Sequence, residues 1–353
     1  MNVRILREAG GLGDVVCTLP VARAAKEKWP EATVYYFCLE DYRDVIEHCP
    51  DVDEFVPVPM EGRRPRDREP DPATWSYLAP EALSESIRSG LGEGGFDTTL
   101  DCWCPAFRYE KEKGQKLDQS RIESFCIAND LTPSDYRPDY AVTDEERAWA
   151  RGWIEAQGFD KKSVVGMQPF SLNNRRDWPE QNWIDLADIL LKQGTAVLVF
   201  HTFFSKVKAI PGRKVTGHSI SKVAAILTEC DCVVTPDSGL FHLSAAVDVP
   251  AVGLFGSTSA VQTAKHYPKH KVIWAKDVKR EKKCLVPCHG FQWCGCDETC
   301  RDKGCEILGK IKVQEVLDMM APMREKAAAV RKDRLRAERR NKPRRVVAAA
   351  KEA

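Results

Sequence analysis

The stretch of residues 232–257, CVVTPDSGLFHLSAAVDVPAVGLFGS, limits most strongly the folds that are open to this chain. It begins with an apolar run typical of a buried parallel strand, and the turn at 237–239 starts a helix predicted over 240–247. Pro250 ends that helix, and residues 251–255 form a second apolar strand. A strand, a Ser/Gly turn and a helix N-terminus present backbone N–H groups and a positive dipole end to an anion. We therefore expect a βαβ unit that either holds a phosphate-bearing ligand or is an ordinary connection.

The length of 353 residues predicts two α/β domains of about 150 residues each. The pattern of strands and helices places the first domain at 1–145, the second at 146–321 and a basic tail at 322–353. The chain has 53 Lys and Arg against 52 Asp and Glu, so its overall charge indicates neither a nucleic-acid nor a membrane partner. It has no apolar run long enough to cross a bilayer and no signal-peptide core, so we expect a cytoplasmic protein.

A glycine-rich turn, REAGGLGD at 7–14, follows the first predicted strand and precedes a helix predicted over 15–28. Its spacing does not fit the G-x-G-x-x-G pattern of dinucleotide sites. Gly11 and Gly13 instead indicate that the backbone approaches a ligand closely. Asp14 lies at the helix start, where the helix dipole keeps a carboxylate ionised. Such a carboxylate can act as a general base at a cleft, or can simply cap the helix.

Two polar loops are candidates for binding anions. The loop at 168–178, QPFSLNNRRDW, places hydroxyl, amide and guanidinium donors such as Ser171 and Arg176 before a predicted helix. These donors suit a diphosphate, although a plain polar loop is the alternative. The proline-rich loop at 59–72 has three basic residues that either grip an anionic acceptor or face solvent: Arg63, Arg64 and Arg66.

Six of the fourteen cysteines fall between residues 284 and 305, whereas the others lie in apolar strand or helix contexts. Thiolates at such spacing can form a tetrahedral zinc or iron site. Reduced thiols and a disulfide pair are the alternatives. Because the cluster follows the core motifs of the fold, we expect that any metal bound there is structural and not catalytic. The candidate ligands are Cys284, Cys288, Cys300 and Cys305.

Several motifs in order resemble those of the bacterial lipopolysaccharide heptosyltransferases, glycosyltransferase family 9. The motifs are GGLGDVVCTLPVARAAKEKWPEA, FDTTLDCWC, RRDWPEQNWIDLADIL and VVTPDSGLFHLSAAVDVPAVGLFGSTS, and the resemblance covers roughly residues 1–320. The resemblance implies the GT-B fold, in which two Rossmann-like parallel-sheet domains face each other across a cleft.

The same resemblance implies an inverting transfer of a sugar from a nucleotide-diphospho-sugar, with ADP-heptose as one candidate. The acceptor would be a lipopolysaccharide core or a similar anionic glycolipid, and no cofactor would be required for catalysis. Asp14 corresponds to the family's catalytic base. The donor would be held by Ser171, Arg176, Asp237, Ser238, Gly239 and, unless it is only a packed helix residue, His242. The acceptor would be held by Gly11, Gly13, Arg63, Arg64 and Arg66.

Two departures from the family pattern bear on the donor. The loop at 201–206, HTFFSK, stands where related heptosyltransferases usually have an acidic residue for the ribose. Ser-Thr-Ser at 257–259 replaces the usual Pro-Thr-Asp. The nucleotide and the sugar are therefore left open. Transfer to a protein or to modified DNA is an alternative, as is a non-catalytic scaffold that binds nucleotide sugars.

The tail at 322–353 has twelve Lys and Arg against four Asp and Glu and few large apolar residues. This composition predicts a solvated helix or a disordered arm. It can touch anionic lipid headgroups at the periphery of the inner membrane, or nucleic acid, or have no partner.

Overall fold

The structure is a computed structural model in which side chains are described as far as residue 331. The described residues are 1–7, 10–58, 95–102, 119–171, 174–275 and 307–341.

The first domain is built on a four-stranded parallel sheet whose strand order is β3-β2-β1-β4. Val3 of the first strand is fully buried and pairs with Val34 on one side and Thr98 on the other. The strands of a parallel sheet are typically apolar on both faces, because helices that connect the strands cover both sides. Its strands are β1 (Asn2–Arg7), β2 (Thr33–Leu39), β3 (Glu54–Val58) and β4 (Thr98–Asp101).

The second domain is built on a six-stranded parallel sheet with the order β10-β9-β8-β5-β6-β7. Cys232, Val233 and Val234 at the start of β8 have no exposed surface, which confirms that this apolar run is a strand covered on both faces. The strands are β5 (Val164–Met167), β6 (Ala196–Phe200), β7 (Arg213–Val215), β8 (Cys232–Pro236), β9 (Ala251–Phe255) and β10 (Lys271–Trp274).

The α-helices of the described residues cover the faces of the two sheets. In chain order they are α1 (Leu12–Val16), α2 (Leu19–Lys28), α3 (Arg43–Glu47), α4 (Arg121–Ile127), α5 (Asp144–Ala156), α6 (Glu180–Lys192), α7 (Phe204–Val207), α8 (Ile220–Leu227), α9 (Gly239–Ala246), α10 (Ala260–Ala264) and α11 (Val313–Asn341). Short 3₁₀ turns lie at Glu40–Tyr42, Asn174–Arg176 and Leu308–Lys310.

The prediction of a single helix over 15–28 is wrong, because the segment forms α1 and α2 with a break at Cys17 and Thr18. Thr18 Oγ1 donates a 2.6 Å hydrogen bond to the carbonyl of Val15. Pro20 then stands in the first turn of α2, where its missing N–H costs nothing. The break keeps α1 to five residues and leaves its N-terminus at the end of β1.

Part of the basic tail is helical and docked. α11 begins before the predicted tail and continues through Pro322 as far as Asn341. Arg324 donates hydrogen bonds to Gln193 and Thr195, and Arg331 pairs with the buried carboxylate of Asp231. Two arginines of this segment therefore make contacts within the second domain. Within the described ranges, no helix is long and apolar enough to span a membrane.

Candidate active site

The turn between β1 and α1 requires glycine at residue 10. Gly10 has a φ of +116°, a conformation that side chains with a Cβ atom rarely adopt. A Cβ atom there would lie 2.5 Å from Arg7 Nη2 and 2.9 Å from the Cβ of Asp14. The hydroxyl of Tyr42 donates a 2.9 Å hydrogen bond to the Gly10 carbonyl. The turn therefore packs its backbone directly against two charged side chains.

Asp14 lies in the first turn of α1 with about a third of its side chain exposed (35%). Its Oδ2 accepts a 2.9 Å hydrogen bond from the N–H of Gly11, and its Oδ1 lies 3.7 Å from Arg7 Nη2 and 3.5 Å from Arg121 Nη1. Burial raises the pKa of this carboxyl, but Arg7, Arg121, the Gly11 N–H and Arg176 lower it, and the balance lies below the ordinary value. Asp14 is thus ionised at neutral pH, as a general base must be.

The two arginines beside Asp14 were not singled out from the sequence. Arg7 is buried, donates a 2.7 Å hydrogen bond to the carbonyl of Cys102 and lies over the ring of Phe125. A cation at the carboxyl end of a buried parallel strand was a signal that could have identified it. Arg121 lies on a helix more than a hundred residues later, so no local pattern connects it to the turn.

Asp237 follows β8 and precedes α9, and it is buried. Arg176 Nη1 lies 3.5 Å from Asp237 Oδ2 and donates to the Asp237 carbonyl at 3.2 Å, and His242 Nε2 lies 3.7 Å from Oδ1. Burial raises the pKa of Asp237, but Arg176, His242 and Arg121 lower it well below the ordinary range. This carboxylate is therefore a fixed negative charge that orients the guanidinium group of Arg176.

Charges from the two domains act on each other across the cleft. Arg176 of the second domain lowers the pKa of Asp14, and Arg121 of the first domain lowers the pKa of Asp237. Each carboxylate is thus within electrostatic reach of a cation from the opposite domain. The structure brings together three of the predicted site residues, Asp14, Arg176 and Asp237, in one charged region.

Ser238 is the N-cap residue of α9, but its side chain does not cap the helix. Its hydroxyl instead donates to Gln168 Oε1 at 2.5 Å and contacts Thr235 Oγ1 at 2.9 Å. The first N–H groups of α9, beginning at Gly239, therefore receive no side-chain cap from Ser238, and such groups suit an anion. Gln168 is a further polar residue here that the sequence did not single out.

Ser171 lies in the polar loop after β5, where its N–H donates a 2.8 Å hydrogen bond to Asp177 Oδ1. Burial raises the pKa of Asp177 to about 6, although the N–H and hydroxyl of Ser171 lower it. Ser171 thus contacts Asp177, so the loop closes on itself. Arg176 Nε is buried and has no hydrogen-bond partner among the residues that the structure describes.

His242 on α9 is a packed residue that also contacts the charged region. Its Nδ1 lies 2.6 Å from the hydroxyl of Tyr267 and 3.2 Å from Cys17 Sγ, and its Nε2 faces Asp237. Burial lowers the pKa of His242, but Cys17 and Asp237 raise it, and the balance lies above the ordinary value. Because Cys17 belongs to the first domain, this histidine links the two domains beside the cleft.

Glycine allows α1 and α9 to approach each other at the domain boundary. A Cβ atom on Gly13 would lie 2.6 Å from His242 Cδ2, and one on Gly239 would lie 2.9 Å from Leu12 Cβ. Both positions therefore exclude larger residues for a packing reason. Among the residues that the structure describes, a Cβ atom on Gly11 would meet Asp14 Oδ2 alone, at 3.8 Å.

A family model for glycosyltransferase family 9 (heptosyltransferase) matches residues 78–289, which is more than half of the chain. The chain belongs to glycosyltransferase family 9. It is accordingly a glycosyltransferase, as the motifs predicted.

Individual relatives agree with this family 9 assignment. The chain is 33% identical over 300 residues to lipopolysaccharide heptosyltransferase 1 of Pseudomonas aeruginosa, covering 72% of this chain and 79% of the relative. It is 22% identical over 305 residues to lipopolysaccharide heptosyltransferase 2 of Salmonella typhimurium, covering 74% and 85%. The structure of E. coli ADP-heptose LPS heptosyltransferase II superposes with a TM-score of 0.62 at 18% identity over 92% of this chain and 99% of that one. The GT-B fold predicted for this chain is thereby confirmed.

Several predicted residues of this family 9 enzyme lie outside the described residues. They are the basic residues Arg63, Arg64 and Arg66 and the cysteines Cys284, Cys288, Cys300 and Cys305. Their predicted roles in acceptor and metal binding therefore stay predictions. Among the residues that are described, no group of His, Cys, Asp or Glu could hold a metal ion.

The two segments that depart from the family pattern lie in different surroundings. Ser257 is buried and donates a 3.3 Å hydrogen bond to the carbonyl of Arg175, the residue before Arg176. In the other segment, His201 Nδ1 accepts a 2.9 Å hydrogen bond from the N–H of Phe203, whose side chain is exposed. An imidazole and an exposed ring thus follow β6 in this family 9 enzyme.

Proposed function

We propose that this glycosyltransferase moves a sugar from a nucleotide-diphospho-sugar, with ADP-heptose as the leading candidate, to a lipopolysaccharide-core or similar anionic acceptor. Asp14 of the first domain is the general base, and Arg176 of the second domain holds the donor diphosphate. The observation that carries this proposal is the close packing of α1 against α9, with Gly13 beside His242, which places Asp14 of one domain within electrostatic reach of Arg176 of the other. Transfer between two bound substrates is helped when the base lies on one wall of a cleft and the anion site lies on the other, because both substrates are then held together.

The proposed reaction is a single displacement. The acceptor hydroxyl gives its proton to Asp14 as its oxygen forms a bond to the anomeric carbon. The bond between that carbon and the diphosphate oxygen breaks on the opposite side, so the configuration inverts and a nucleoside diphosphate leaves. Asp14 can accept the proton although it is a weak base, because the acceptor hydroxyl becomes strongly acidic as its oxygen bonds to the anomeric carbon.

The negative charge on the leaving diphosphate is stabilised by groups that are already in place. Arg176 is held by both the carboxylate and the carbonyl of Asp237, so little reorganisation is needed when charge develops. The N-terminus of α9, which the Ser238 side chain does not cap, begins beside Asp237 and can donate N–H groups to an anion there. Helix dipoles and a guanidinium group can carry this charge without a metal ion.

The names of the relatives support an adenine nucleotide and a lipopolysaccharide acceptor, since the matched proteins are lipopolysaccharide heptosyltransferases and one is described as using ADP-heptose. We also propose the division into an acceptor domain at 1–145, a donor domain at 146–321 and a tail at 322–353. A peripheral contact of the tail with anionic lipid headgroups, and a cytoplasmic location, belong to the same proposal.

A thermal-shift panel of nucleotide-diphospho-sugars tests the donor assignment. A donor present at 100 times its dissociation constant should stabilise the protein by about 2.7 kcal/mol, which raises Tm by several degrees. We expect the largest rise with ADP-heptose, and a larger rise with a UDP- or GDP-sugar would replace it as the donor. Arg176→Lys, which retains a cation beside Asp237 but loses the planar fork, should reduce the rise, whereas the exposed Arg151→Lys should not.

The pH dependence of transfer should report the lowered pKa of Asp14. Since kcat/KM depends on the ionised base, it should stay high as the pH falls and decline only below the ordinary aspartate pKa of about 3.9. Arg121→Met removes one cation from the carboxylate, so the acid limb of kcat/KM should move to higher pH. A pH–rate profile of this variant beside Arg151→Met, with circular dichroism to monitor folding, checks the shift. An acid limb at the same pH in all three proteins would contradict it.

A further inference from the structure

A set of contacts joins the first turn of α4 to Lys265 and His266 of the second domain. Lys265 Nζ lies 2.8 Å and 3.0 Å from the two carboxylate oxygens of Glu123, and His266 Nε2 lies 3.0 Å from Glu123 Oε1. Tyr267, next in the chain, contacts His242 and Cys17. Three consecutive residues after α10 therefore reach the first domain or the histidine that links to it.

Glu123 is two residues from Arg121, on the same helical turn. Its Oε2 accepts a 2.7 Å hydrogen bond from the N–H of Ser120, and its own N–H donates to Ser120 Oγ at 3.1 Å. This reciprocal capping box fixes the geometry of the turn. One carboxylate thus shapes the turn that carries Arg121 and also holds that turn against the other domain.

The far end of α4 has its own anchor in the first domain. Asn129, just after the helix, donates to the carbonyl of Asp101 at 3.0 Å and accepts from its N–H at 2.9 Å. These bonds tie the C-terminal end to β4. The N-terminal turn is tied across the domain boundary by Glu123, so the position of Arg121 depends on how the second domain sits.

We propose that Glu123 is a positioning residue for the base: by holding Lys265 and His266 of the second domain, it keeps Arg121 beside Asp14. The inference rests on the proposed function in taking Asp14 as the base. As a consequence, the position of the second domain relative to the first controls how strongly Asp14 is ionised. Transfer is then favoured when the two domains are in contact.

The charges around both carboxylates agree with this arrangement. Burial raises the pKa of Glu123, but Lys265, the N–H of Ser120 and His266 lower it, so Glu123 is ionised at neutral pH. Asp14 is faced by Arg7 from β1, Arg121 from α4 and Arg176 from the second domain. Of these three cations, Arg121 is the one carried on the turn that Glu123 holds.

The variant Glu123→Gln removes the ion pair between the domains while leaving α4 folded. Glutamine can still accept the hydrogen bond from Ser120, so the capping box is retained, while the ion pair with Lys265 is lost. A partly exposed pair of this kind contributes at most about 1 kcal/mol, so the variant should remain folded.

The sign of the effect distinguishes positioning from a direct charge effect. Removing a negative charge near Asp14 lowers the pKa of that carboxyl through space, because an anion beside it disfavours ionisation. If Glu123 instead holds Arg121 in place, its neutralisation lets the guanidinium group move away, and the pKa of Asp14 rises.

The test is an NMR titration of the Asp14 carboxyl carbon in the full chain, with the signal assigned by its loss in Asp14→Asn. We expect the pKa of Asp14 to rise in Glu123→Gln and in Lys265→Met. In an Arg121→Met background, Glu123→Gln should cause no further rise. Glu47→Gln and Lys269→Met, which break pairs elsewhere (Glu47 with Arg43, Lys269 with Asp248), are the matched controls and should leave it unchanged.

A pKa of Asp14 that is unchanged or lower in Glu123→Gln would overturn the proposal, as would a rise that persists without Arg121. Because the titration does not need turnover, its outcome is independent of the role of Asp14 in transfer. If Asp14→Asn retains full transfer, the proposed base is wrong, whatever the titration shows.

Discussion

Replacing Asp14 with asparagine should lower the rate of sugar transfer by about 10²- to 10⁴-fold, the contribution that a positioned general base makes. Asparagine has the shape of aspartate and can still accept from the N–H of Gly11, but it cannot take up the proton of the acceptor hydroxyl. Donor binding should persist, because Arg176 and α9 belong to the second domain. Initial rates with the donor from the thermal-shift panel measure the loss.

The matched control for this variant is Asp144→Asn, an exposed carboxylate that also lies in the first turn of a helix, far along the chain from the glycine turn. It should transfer sugar at the wild-type rate. Transfer at that rate by Asp14→Asn would remove Asp14 as the base. If the wild-type chain transfers no sugar from any donor that it binds, the scaffold alternative would be favoured.

Replacing Gly13 with alanine should destabilise the protein by about 1–3 kcal/mol and strongly reduce transfer. The added Cβ would lie 2.6 Å from His242 Cδ2, and this buried ring is held by Tyr267 and faces Asp237. The ring has little room to yield, so α1 and α9 must separate, which moves Asp14 away from Arg176. Urea unfolding and initial rates measure the two effects.

Gly152→Ala provides the control, because a Cβ atom on Gly152 of α5 meets nothing within 4 Å in the described part of the chain. Alanine is favoured over glycine in a helix interior, so this variant should be more stable by about 0.5–1 kcal/mol. Wild-type stability and transfer in Gly13→Ala would show that the two helices are not closely packed. In a His242→Ala background, the cost of Gly13→Ala should largely disappear, since the obstructing ring is gone.

The strands were largely predictable from the sequence because buried parallel strands are short apolar runs bounded by turn residues. The apolar run that begins at residue 232 is β8, and the strand predicted over 251–255 matches β9. The helix predicted over 240–247 also matches α9 to within one residue at each end, because the turn before it and the proline after it mark its limits. Local chemistry decides these features.

The candidate site was only partly predictable because its decisive contacts are between distant residues. Asp14 was singled out, but Arg121, which lies 3.5 Å away, has no signal near it in the chain. The sequence also left open whether His242 is packed or faces the cleft. The structure shows that it is packed and also faces Asp237, because Cys17 and Tyr267 surround its other nitrogen.

The most direct test of the central claim measures the donor dissociation constant and the single-turnover rate of transfer in one assay for two variants. Asp14→Asn should keep the dissociation constant of the wild type and lose the transfer rate. Arg176→Lys should raise the dissociation constant about tenfold, because a bidentate, charge-assisted contact to the diphosphate is lost. If Asp14→Asn instead weakens donor binding while its bound donor reacts at the wild-type rate, the assignment of the base to the first domain is contradicted.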